Sequence, residues 1–179
     1  MADATTTKLV IGGPVGAGKT TAVRVLADTE PVTTEMPLSG AAASDGKQTT
    51  TVAFDFATVL MDDAPPLFVY GLPGQDHFGF MREIVFEGAI GALIILDASA
   101  ATLLSDCRHW LQAVRDAGGE ELPLVVGITK TDLVDDFDMA SVRETVRESG
   151  PPVPIFSFDS RDAEQTGHLM RALLVSATV

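Results

Sequence analysis

No stretch constrains the fold of this chain more than Gly12-Gly13-Pro14-Val15-Gly16-Ala17-Gly18-Lys19-Thr20-Thr21. From Gly13 onward it follows G-x-x-x-x-G-K-[ST], directly after the apolar run Leu9-Val10-Ile11 and directly before the helical pattern Ala22-Val23-Arg24-Val25-Leu26. Glycines let the backbone of such a turn wrap closely, so its N–H groups point inward at the start of a helix whose dipole favours negative charge. Residues Gly13, Val15, Gly16, Ala17, Gly18, Lys19, Thr20 and Thr21 are therefore expected to cradle a phosphate tail. Lys19 should reach the β- and γ-phosphates, and the Thr20 hydroxyl should ligate Mg²⁺. A glycine-rich turn without a ligand is the plainer alternative. The full order of strand, loop, Lys-Thr and helix favours a bound nucleoside triphosphate.

The chain has 179 residues, which suits one α/β domain over 1–179, and no linker, repeat or low-complexity tract divides it. Its 46% of hydrophobic residues fall in short runs, none near the roughly 18 apolar residues of a membrane span. The N-terminus lacks a charged-then-apolar signal pattern, Ala2 stands where myristoylation needs glycine, and the C-terminus has no prenylation cysteine. The expectation is a soluble cytoplasmic protein, with any membrane contact made through a partner. Cys107 is the only cysteine, which rules out an internal disulfide or a multi-cysteine metal site, and its helical spacing with Leu103 and Leu111 reads as a core thiol. A net charge of −13 works against binding nucleic acid through its phosphates. It has no bearing on a nucleotide held locally by the loop.

Strands are expected near 7–12, 51–60, 66–70, 89–97, 123–128 and 154–158, and helices near 19–28, 79–87, 101–117, 138–149 and 163–176. Most strands alternate with helices, which argues a parallel sheet covered on both faces. Only Met61-Asp62-Asp63-Ala64-Pro65 separate the second and third strands, a connection short enough to join only antiparallel neighbours. The expected fold is α/β, a six-stranded mostly parallel sheet with one antiparallel edge strand and helices on both faces. Ligands of such sheets bind beyond the carboxyl ends of the parallel strands, and the motifs of interest follow strands one, three, five and six. Residues Thr29 to Thr50 carry two prolines and little periodicity, and read as a long functional loop.

The tract Thr51 to Phe56 resembles the end of switch I in Ras-like small GTPases, where a threonine closes over Mg²⁺ and the γ-phosphate. Leu67-Phe68-Val69-Tyr70-Gly71-Leu72-Pro73-Gly74-Gln75 is similar to their switch II signature. That resemblance implies that Gly74 offers its N–H to the γ-phosphate and that Gln75 orients the attacking water, with Lys19 and Thr51 completing the catalytic group. Thr129-Lys130-Thr131-Asp132 resembles the guanine-reading motif with Thr for its usual Asn, and Asp159-Ser160-Arg161 stands where the last base-contacting loop belongs. The resemblance implies a P-loop NTPase G domain that binds and hydrolyses GTP with Mg²⁺. It also implies switch regions near 31–51 and 71–80.

Within the superfamily, Gly13 to Thr21, Leu72-Pro73-Gly74-Gln75 and Asp159-Ser160-Arg161 look most like the bacterial MglA-like group and its conservon-type members. That likeness implies Roadblock-domain regulators and sensor-kinase-like partners. The chemistry at residue 132 favours guanine: Asp132 can accept from the N1–H and N2–H₂ edge that adenine lacks, while the Lys130 stem covers the base. Standing alone, this segment would read equally well as a charged loop.

Several positions depart from the family pattern. Gly71 stands where the magnesium-proximal Asp is expected. Asp55 is a candidate replacement, but it lies four residues past Thr51, about 13 Å along an extended chain, and reaches the metal only if the edge strand slides. Asp97 imitates a magnesium-binding strand end and is better read as a turn or cap. Val15 is expected to crowd Gln75 and an incoming arginine, and the loop before Thr51 offers Lys47 but no Arg, so intrinsic hydrolysis should be slow. Arg82 reads as a solvated residue beside Glu83, or as an arginine recruited in cis. His77 reads as a switch or partner contact. Leu72, Pro73, Phe78, Phe80 and Met81 form a candidate partner surface, a core role for Phe80 and Met81 being equally open. A metabolite kinase and a non-hydrolysing adaptor are the competing functions. Twelve basic residues and no basic lid argue against the kinase.

Overall fold

Alternation of apolar side chains along the strands decides the layers. In the computed structural model, which describes residues 7–28, 32–38, 50–61, 64–74 and 80–177, strand β1 (Thr7–Gly12) sends Leu9 and Ile11 to one face and Val10 to the other. All three are fully buried, as a strand covered on both sides requires. Strand β5 (Ala89–Asp97) repeats the division, with Leu93 and Ile95 on one face and Ala92, Ile94 and Leu96 on the other. Strand β6 (Leu124–Thr129) does the same with Val125 against Leu124, Val126 and Ile128.

Helices α1 (Lys19–Leu26) and α5 (Ala163–Ala177) close the first face through Ala22, Val23, Leu169, Met170 and Leu173. The second is closed by α2 (Phe80–Phe86), α3 (Leu103–Gly118) and α4 (Met139–Glu148), whose Val85, Trp110, Leu111, Val114, Val142 and Val146 pack together. Cys107 is buried here, and burial pushes its thiol up to about 11, so it behaves as the expected core residue. Arg115 on α3 is also buried. Its guanidinium donates to the carbonyls of Ser149 and Pro151, tying α3 to the end of α4.

With β2 (Val32–Leu38), β3 (Thr50–Met61), β4 (Ala64–Gly71) and β7 (Ile155–Ser157), the sheet runs β2-β3-β4-β1-β5-β6-β7. The five strands from β4 to β7 are mutually parallel; β3 is antiparallel to β4, and β2 to β3. The mostly parallel sheet with an antiparallel edge and two helical faces is the expected architecture. It carries a seventh strand, because β2 lies inside the segment that reads as loop. Val32-Thr33-Thr34 supply β-branched residues, and Pro37 is tolerated because β2 is outermost. From the central β1 the chain moves outward to β4 on one side and to β5 on the other, so the turn after Gly12 sits where strand order reverses.

Candidate functional site

The turn between β1 and α1 is shaped both by its own bonds to the Pro14 carbonyl, from Ala17 N–H and Lys19 Nζ, and by its neighbours. Gly18 takes the left-handed conformation at φ 100° and begins α1 with no side chain capping the helix. A Cβ there would also lie 2.7 Å from Ser160 Oγ, so handedness and space both demand glycine. Gly13 passes so close over β5 that a Cβ would lie 2.0 Å from the Ile95 carbonyl oxygen. Ala17 is buried beneath the loop, whereas Val15 at its tip is 68% exposed.

Lys19 is buried, and its Nζ donates to the Pro14 carbonyl at 2.6 Å. Burial pushes its pKa down to about 8, with the Asp55 carboxylate pulling the other way. An ammonium short of solvation, held by a single backbone carbonyl at a helix N-terminus, is suited to receive an anion.

Beside it, the Thr20 hydroxyl donates to the Asp55 carboxylate. Asp55 stands directly across from Gly71 in the β3–β4 register, and a Cβ on Gly71 would lie 2.9 Å from the Asp55 Cβ. The glycine leaves the room that the Cβ of Asp55 on the neighbouring strand needs. Asp55 therefore meets Thr20 of α1 without any slide of the edge strand, a contact that its stretch of about 13 Å to Thr51 along the chain did not announce. Thr51 itself lies further along β3, paired with Pro37 of β2, and its side chain is outside the described set. Hydroxyl and carboxylate oxygens are the hard donors Mg²⁺ prefers, and Mg²⁺ commonly takes only one or two protein oxygens beside phosphates and water. The Thr20–Asp55 pair fits that pattern.

Gly74 presses on the loop so closely that a Cβ would lie 2.5 Å from Val15 N and 2.8 Å from Lys19 Nζ. The next residues, Gln75, Asp76, His77 and Phe78, fall outside the described residues. Leu72 is 3% exposed and belongs to the α3-side core, so it is not surface available to a partner. Arg82 is half-buried, with its guanidinium 4.8 Å from the Trp110 ring centre.

A second compartment opens from the same loop. A cleft of about 280 Å³ is lined by Gly16, Gly18, Thr21, Thr129, Lys130, Asp132, Leu133, Asp159, Ser160 and Arg161. Thr129, buried at the end of β6, directs its hydroxyl to the carbonyls of Ala17 and Leu96, at 2.9 and 3.0 Å. It thereby ties the turn after β1 to the sheet. Lys130 adopts a left-handed φ of 59° and donates to the Gly16 carbonyl at 2.9 Å and to Asp97. Asp132, in the short turn Thr131–Leu133, is exposed at the rim. Ser160 is buried against Gly18, and Arg161 makes a forked ion pair with Asp159 at 2.7–3.1 Å. Hydrogen bonds from Arg161 pull Asp159 down to about 2, so the pair keeps its charges across the physiological range.

Asp97 is partnered rather than open to a metal. One of its oxygens accepts from Ser99 N–H and Oγ, the other from Lys130. Burial works against its charge, but these hydrogen bonds outweigh it and hold the carboxyl below the usual range. Sequence reasoning identified the turn and missed the lysine, whose only signal is that Asp97 ends β5 and Lys130 follows the end of the adjacent β6.

Residues 27–174 match the family described as conserved hypothetical ATP-binding protein. The chain belongs to that family. This ATP-binding-family protein is also 34% identical over 92 residues to an uncharacterized protein of Methanocaldococcus jannaschii, a match covering 51% of this chain and 56% of that one. It is 26% identical over 129 residues to the Ras-related protein RABF2b of Arabidopsis thaliana and 25% identical over 129 residues to the Ras-related protein Rab5 of Nicotiana tabacum. Each of these two matches covers 72% of this chain and 59% of the relative, so the chain spans between 56% and 59% of the length of the three. Homology with the Ras-like small GTPase superfamily accompanies membership of the ATP-binding family, and both point to a P-loop nucleotide-binding protein. Among the described residues no helix is long and apolar enough to cross a membrane.

Proposed function

We propose that this protein is a guanine-nucleotide switch that hydrolyses GTP slowly. The observation that carries the reading is that the turn holding Lys19 also contributes Gly16, Gly18 and Thr21 to the wall of the cleft that ends at Asp132. A triphosphate tail would exchange the Lys19–Pro14 contact for phosphate, with Gly13 to Thr21 and the Gly74 N–H around it. Thr20 and Asp55 would hold a magnesium ion, which when bound would neutralise phosphate charge. At the other end Asp132 would accept from the guanine edge, Lys130 would cover the ring, and Thr129, Ser160 and Arg161 would wall the cleft.

Hydrolysis is slow in this reading because the nearby arginines are engaged elsewhere, Arg161 with Asp159 and Arg82 over Trp110. An arginine at the developing charge contributes about three or more powers of ten. Gln75 would position the water, and Thr51 would close over the metal. The MglA-like and conservon resemblance supports partners of the Roadblock and sensor-kinase-like kinds, cytoplasmic location and recruitment to membranes through those partners. Single-turnover hydrolysis of GTP tests the switch: slow product formation that stops in Gln75→Leu supports it, and no product with or without a Roadblock-type protein would leave an adaptor.

A second reading, an adenine-nucleotide protein, is favoured by the family description and by Thr129 in place of the guanine motif's Asn. It keeps the phosphate end unchanged and differs only at Asp132. Under it, Asp132→Ala leaves ATP affinity intact.

A further inference from the structure

The residue that most shapes the base cleft without lining it is Asp97. It ends β5 opposite Thr129 of β6, and the Ala98 N–H donates to the Thr129 carbonyl at 3.0 Å, which clamps the end of β5 against the residue preceding Lys130. Lys130 then leaves β6 in the left-handed region, unusual for a side chain with a Cβ. Its ammonium turns back to span two anchors, the Gly16 carbonyl at 2.9 Å and the Asp97 carboxylate at 2.5 Å. The carboxylate is itself fixed, because its second oxygen accepts from Ser99 N–H and Oγ at 2.8 and 2.6 Å. The Asp97 side chain is 12% exposed and that of Lys130 37%, so the pair lies at the cleft's inner edge rather than in open solvent.

From this geometry we infer that Asp97 is a positioning residue: it pre-sets the Lys130 stem along the cleft wall before a nucleotide arrives, and so governs how tightly the base, as distinct from the phosphates, is held. The inference rests on reading the cleft as the base site. A free lysine carries much rotamer freedom, and a stem already ordered removes that loss from the binding step. The Gly16 carbonyl cannot do this alone, since it is neutral and belongs to the loop that the nucleotide itself engages.

The test compares Mg²⁺–GTP with Mg²⁺–tripolyphosphate, which has the phosphates and no base, by calorimetry on the full chain. Asp97→Ala is expected to weaken GTP by about threefold to tenfold, the loss of one pre-organised long side chain, and to leave tripolyphosphate unchanged. In a Lys130→Ala background the same substitution is expected to add nothing. Asp97→Asn keeps the Ser99 bonds through its one oxygen but turns an N–H₂ donor toward Lys130, so it should weaken GTP as much as Asp97→Ala without a local collapse; thermal midpoints of all variants are measured alongside. Equal weakening of both ligands, additive losses in the double variant, or unchanged GTP affinity would overturn the inference. A native protein that binds GTP no better than tripolyphosphate would instead overturn the base-site reading on which it rests.

Discussion

Lys19 keeps its charge in a place that disfavours it, and that makes it sensitive to pH and to ligand. Its folded pKa near 8 lies below the 10.5 of an exposed lysine, so between those values the unfolded chain holds a proton the folded protein has released. The lysine's penalty on stability is therefore complete below about pH 8 and is relieved as pH rises toward the unfolded value. A bound phosphate reverses this by favouring the ammonium. Nucleotide binding should accordingly take up little proton near pH 7 and approach one proton near about pH 9, with affinity falling as pH rises through that window. Calorimetry in two buffers of different ionisation heat measures the uptake. No uptake at the higher pH would mean that Lys19 does not meet the phosphates.

Strand pairing does what the local sequence at Gly71 does not: β3 brings Asp55 to the height where β4 ends, and the missing Cβ makes room for it. Removing Asp55 by Asp55→Ala should reduce the Mg²⁺-dependent part of nucleotide affinity by roughly 10- to 100-fold, the cost commonly seen when a metal site loses a supporting partner. Moving the carboxylate back to β4 with Gly71→Asp in the Asp55→Ala background should recover part of it, whereas Gly71→Asp alone should destabilise the fold by crowding Asp55. Affinities with Mg²⁺ and with a chelator distinguish these outcomes, and unchanged Mg²⁺ dependence in Asp55→Ala would remove Asp55 from the site. The phosphate loop, the helices and the parallel strands were legible because each is announced by residues adjacent in sequence, as Leu9-Val10-Ile11 announces β1. The β2 strand was not, since Pro37 and the polar run around it mask a short β-branched signal. The Asp55–Thr20 and Asp97–Lys130 contacts were not either. They depend on which residues face one another across strands, a register fixed by the hairpin and by the packing of both faces.

Two cores on opposite faces of one sheet hold the loop's surroundings in place, and Trp110 joins the larger of them to the site. A Cβ on Gly12, the last residue of β1, would lie 3.0 Å from the Trp110 ring, and Arg82 of α2 lies over that ring. Trp110→Ala should cost about 3–5 kcal/mol in denaturant unfolding, the range for emptying a buried aromatic site. A loss under about 1 kcal/mol would show that α2 and α3 repack readily around the gap. The phosphate end and the base end are the two halves of the functional account, and the choice of base decides between its readings. Competition of GTP, GDP, ATP and ADP for the native protein and for Asp132→Ala, all with Mg²⁺, is the most direct test. The account predicts tighter binding of the guanine pair in the native protein and loss of that preference in the variant. Adenine nucleotides that bind as tightly or more tightly, with affinities indifferent to residue 132, would contradict it.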